Sequence, residues 1–109
     1  MNKINEQLVN EAGEFVQNFL DEHLSEKITF HTLEHTKYVV EKAELIGKKG
    51  GLKDEEVLLS KIAAWFHDIG YAIDREKHEK LGADKAEEFL QSKGIEESKI
   101  NHVKEAIRS

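Results

Sequence analysis

His67 and Asp68 stand side by side where an apolar run gives out at Gly70, and that placement is chemically awkward. Read as the end of a buried helix, it puts a carboxylate where burial penalises its charge. The helix C-terminus adds the negative pole of the backbone dipoles. A bound cation would relieve both. The competing reading is a helix that merely ends at the surface, with His67 favoured by the same dipole. Five side chains are the inward-facing candidates: His31, His35, His67, Asp68 and His78.

On the second predicted helix, His35 shares a stripe with Val39 and Ile46, so its ring is expected to face the core. His31 precedes it by four residues, a spacing that lets two imidazoles hold one ion. His78 shares a face with Gly82, Ala86 and Phe89. His23, in the polar end Asp21-Glu22-His23, and His102, off the Ile100, Val103 and Ile107 stripe, are expected at the surface. Neither His31-Thr32-Leu33-Glu34-His35 nor His78-Glu79 with Gly82 makes the zinc-protease pattern, which needs His-Glu followed by His three residues on. Imidazoles with one carboxylate suit a divalent Mn, Fe, Co, Ni or Zn ion, and Mg less obviously.

The elements that must position these groups are all helical. Leu8, Ala12, Phe15, Phe19 and Leu20 recur at helical spacing from about Glu6 to Leu24, and a short connection follows from Ser25 to Thr29. A second helix is predicted from about His31 to Lys48, with Tyr38, Val39, Ala43, Leu45 and Ile46 as its apolar set. Asp54 is the expected N-cap of a third, which runs to about Asp68 and is apolar nearly all round, so it is expected at the centre. A fourth is expected from about Arg75 to Lys93, closed by Gly94, and a fifth from near Glu96. No strand pattern and no repeat interrupts them.

Composition narrows the function classes. The 109 residues suit one domain, and with no cysteine, disulfide frameworks, zinc ribbons and thiol catalysis are excluded. Acidic residues outnumber basic ones by 22 to 16, for a net charge of -6, so a nucleic-acid polymer is not the expected partner. The longest unbroken apolar stretch, Ile62 to Phe66, is far too short to span a bilayer, and no signal-like segment opens the chain. A cytoplasmic domain is the expectation.

Three blocks in order carry a resemblance: Phe30-His31-Thr32-Leu33-Glu34-His35-Thr36, Ala63-Ala64-Trp65-Phe66-His67-Asp68-Ile69-Gly70-Tyr71, and His78-Glu79-Lys80-Leu81-Gly82-Ala83. Together they resemble the HD-domain superfamily of metal-dependent phosphohydrolases, over roughly Ile28 to Ile107. The resemblance implies an all-α HD-type bundle of about five helices, with His35 as the first metal ligand and His67-Asp68 as the catalytic doublet. It makes His78 and His31 further ligands or neighbours of the site. It also implies hydrolysis of a phosphomonoester or phosphodiester, a nucleotide by preference, with a divalent metal ion as cofactor. A non-catalytic regulatory or dimerisation module and a di-iron oxygenase are the other functions seen on this fold.

The chain departs from the family pattern at one point. Family members close the metal site with an aspartate on a helix beyond the fifth, and here the residues stop at Arg108-Ser109. The expectation is a fragment with the last helices missing, or else Asp74 or Asp84 as a substitute, or an incomplete site. On that view metal binding should be weak, and Ile100, Val103 and Ile107 should lie uncovered and invite a homodimer.

Overall fold

The computed structural model describes residues 3–73 and 77–108, with the side chains of residues 70–72 and 78 outside that description. Five helices follow one another: α1 (Glu6–His23), α2 (Glu26–Lys49), α3 (Asp54–Ile73), α4 (His78–Ser92) and α5 (Glu97–Arg108). The all-α class read from the sequence is therefore correct, and its boundaries shift at informative places.

α2 begins a turn and a half earlier than the periodicity indicates. Ser25 caps it, its Oγ accepting from the Ile28 amide at 3.3 Å, so the expected connection becomes the first helical turn. At the start of α3, Asp54 is the first helical residue and not the cap. Glu56 reaches back to accept from the Lys53 amide at 3.3 Å, which is the glutamate half of a capping box. α3 also runs past Asp68 and Gly70 to Ile73. The doublet thus lies inside the helix, and the expectation that it ends one is corrected. Ile69, 1% exposed, is bound into the core immediately beyond it, which offsets the roughly 1 kcal/mol that Gly70 costs a helix.

α3 is the central element, packed against each of the other four helices. Val57, Leu59, Ile62, Ala63, Ala64, Phe66 and Ile69 are buried along it. Phe66 meets Phe15 of α1 and Phe89 of α4 at 5.8 Å between ring centres, and Phe15 and Phe89 close the triangle at 5.5 Å. Gly82 lets α4 come close, since a Cβ there would stand 2.7 Å from the Phe66 carbonyl oxygen. At the other end, the half-hidden Glu44 of α2 and Glu6 of α1 both accept from Lys61 of α3, at 3.1 and 2.8 Å. Burial works against the Lys61 charge, but these two partners outweigh it and hold its pKa above the ordinary 10.5. The same ammonium holds the Glu44 carboxyl below its ordinary 4.5.

Two expectations about faces are overturned. α2 buries Thr29, Leu33, Thr36, Val40 and Gly47, and leaves Tyr38, Leu45 and Ile46 exposed. Threonine can occupy that face because its hydroxyl is satisfied locally: Thr36 donates to the Thr32 carbonyl at 2.9 Å and Thr29 to Leu20 at 3.4 Å. On α5, Ile100, Val103 and Ile107 are at most 1% exposed, because α3 and α4 already cover them. The uncovered stripe on which a homodimer was expected does not exist.

Candidate functional site

Asp68 is the centre of the arrangement. Phe66 and Ile69 lock the α3 backbone on either side of it, so the carboxylate leaves the helix in a direction that the core dictates. Its side chain keeps only 20% of its surface exposed. Nδ1 of His67 lies 3.3 Å from Oδ1, a hydrogen bond when that nitrogen carries the proton. Nε2 of His35, from α2, lies 3.2 Å from Oδ2. That approach lacks hydrogen-bond geometry, and Oδ2 is sealed from solvent with no hydrogen-bond partner among the described residues. A buried carboxylate oxygen in this state is costly unless something positive meets it.

His35, His67 and Asp68 therefore do come together, although 32 positions separate the first two. They do so differently from the expectation. His35 is 64% exposed and His67 48%, so neither ring points into the core. His35 reaches Asp68 from the exposed flank of α2, because the buried face of that helix belongs to Leu33 and Thr36. His31 is likewise exposed, and its contact is an edge-on one with the exposed Phe30 ring at 5.7 Å. Asp84 is exposed on α4. The His78 side chain and Asp74 lie outside the described residues. His23 and His102 are at the surface as expected.

The donor chemistry suits a divalent ion: two imidazoles and a carboxylate, one of whose oxygens is buried without a hydrogen bond. Each ring addresses a different carboxylate oxygen. Among the described residues no three His, Cys, Asp or Glu groups are set around one point as ligands. Both rings are exposed and free of core packing, so they can turn without disturbing the bundle. The open side of the site runs into a groove lined by His67 together with Val39, Ser60, Ala63, Ala64 and Ala106. Sequence reasoning missed this groove, whose only signal is the small residues at 60, 63 and 64, one and two turns before His67.

Among known proteins, the sequence model of the family described as "HD domain" matches residues 32–109, most of the chain. The matched span contains His35, His67 and Asp68 and begins just after His31. No curated protein and no solved structure matches the chain.

Proposed function

Because the chain belongs to the HD-domain family, whose members are generally metal-dependent hydrolases, we propose that it hydrolyses a phosphate ester with a divalent metal ion held at His35, His67 and Asp68. One observation carries the reading: the buried, unbonded Oδ2 of Asp68 faces an imidazole from a second helix. An ion there would supply Lewis-acid polarisation of a phosphoryl oxygen and a bound water of lowered pKa.

The chain's own residues provide the rest. Asp68 presents a carboxylate from a rigid backbone, and His35 brings the α2 side of the site to it. His67 stands between this carboxylate and the groove, in reach of a group bound in either. The substrate of this reading is a phosphomonoester or phosphodiester, a nucleotide by preference.

Calorimetric titration with Mn²⁺ beside a screen of phosphomonoesters tests the proposal. Saturable Mn²⁺ binding and metal-dependent phosphate release, both lost in Asp68→Ala with the helical signal unchanged, are the expected results. Asp68→Ala that keeps full Mn²⁺ occupancy would remove the carboxylate from the site. A protein that folds without binding metal and releases no phosphate would be a regulatory HD module. Two bound irons with oxygen uptake would make it an oxygenase.

A further inference from the structure

The groove beside His67 has about 260 Å³ of space between α2, α3 and α5. Its α3 wall is Ser60, Ala63, Ala64 and His67, which share one helical face on successive turns. Ala63 and Ala64 are buried as its floor, Val39 flanks it from α2, and Ala106 forms the lip on α5. The seven helical steps from Ser60 to His67 make it roughly 10 Å long. Its volume lies just below the usual range of small-molecule sites, which begins at about 300 Å³, so it suits only a small body.

The lining decides what it would take. Among the described residues that line it there is no Asp, Glu, Lys or Arg, so a phosphate group placed against them would be desolvated without a counter-charge. An uncharged, flat body loses little there and gains the removal of apolar surface from water. Ser60, at the end away from His67, offers one hydroxyl to a polar edge. We propose that this groove seats the uncharged ring-bearing body of the substrate, with its single phosphate at the His67 end and its far edge at Ser60. Ala64 on the floor and Ala106 on the lip are then the positions that set which bodies fit. A polyphosphate does not suit it, because its second phosphate would meet no cationic side chain among the described lining residues. The inference rests on His35, His67 and Asp68 being the reacting end.

The test is an NMR titration of the metal-free chain with adenosine, thymidine and 4-nitrophenol, none of which carries a phosphate. At least one should shift the amides of residues 60, 63, 64 and 106 saturably. Ala64→Leu and Ala106→Leu should each weaken that binding at least tenfold while leaving Mn²⁺ affinity, read by calorimetry, as in the parent chain. If Ala64→Leu fails to fold, Ala106→Leu at its exposed position decides alone. Groove amides unmoved by all three probes, or undiminished binding in the folded variants, would overturn the inference. Mn²⁺ binding with a silent groove sinks this inference only, whereas a responsive groove with no Mn²⁺ binding sinks the metal reading only.

Discussion

At the scale of single residues, His31 and His35 are the same chemical group one helical turn apart, and the structure separates them. His35 lies against Oδ2 of Asp68, whereas His31 lies against Phe30. Under the proposed function, His35→Ala should lower Mn²⁺ affinity at least tenfold, and His31→Ala should change it by less than about threefold. Calorimetry on both variants checks this, and equal losses would place His31 in the site as well. The doublet was legible in the sequence because His67 and Asp68 adjoin an apolar run that had to be central. Its meeting with His35 followed from the family resemblance and not from the face expected of the helix that carries His35. The exposure of the two rings was not legible. That depended on two threonines taking the buried face of α2, and side-chain hydrophobicity ranks threonine below the tyrosine, leucine and isoleucine that are left outside.

At the scale of elements, the number and class of the helices followed from periodicity, while their ends were decided by local hydrogen bonds and by packing. Ser25 starts α2 through a cap that a short polar connection conceals, and Ile69 carries α3 through a glycine that reads as a stop. The contact of α3 with α4 yields a prediction of opposite sign to helix propensity. In an open helix Gly82→Ala would be stabilising by up to about 1 kcal/mol. Here the new methyl meets the Phe66 carbonyl oxygen, a backbone atom unable to give way cheaply. Overpacking of this kind costs about 1–3 kcal/mol, so a net destabilisation is expected in urea melts. Because Phe66 adjoins His67, the same substitution should weaken Mn²⁺ binding without touching a proposed ligand.

For the whole molecule, the Cα radius of gyration of 13.0 Å matches the roughly 13 Å of a folded domain of this size, as the central position of α3 leads one to expect. Lys61 fastens α1 and α2 to that centre, and its partners set the pH range over which it holds. Glu44 has a lowered pKa, so its contribution is present above 4.5 and is lost as pH falls through the lower folded value. Lys61 has a raised pKa, so its contribution is complete below 10.5 and is lost as pH rises through the higher folded value. Thermal melts across pH should show a plateau that falls at both ends. Lys61→Met keeps the buried stem and removes the charge, so it should change stability within about 1 kcal/mol at neutral pH and flatten both limbs. Glu6→Gln with Glu44→Gln, which leaves the ammonium without its carboxylates, should be the more damaging change.

The close contact of Trp65 with Gly13 has an optical consequence. Trp65 is the single tryptophan of the chain, it packs against the core, and its indole N–H is buried with no hydrogen-bond partner among the described residues. An indole so shielded emits at shorter wavelength than one in water, and here all of that emission arises at the seam between α1 and α3. A Cβ at position 13 would stand 2.7 Å from the ring. Gly13→Ala should therefore push the ring outward and move the emission to the red while the far-ultraviolet dichroism stays that of a helical protein. Unaltered emission in that variant would mean that α1 shifts and the indole stays. The chain thus carries its own fluorescent gauge of whether its first helix is docked.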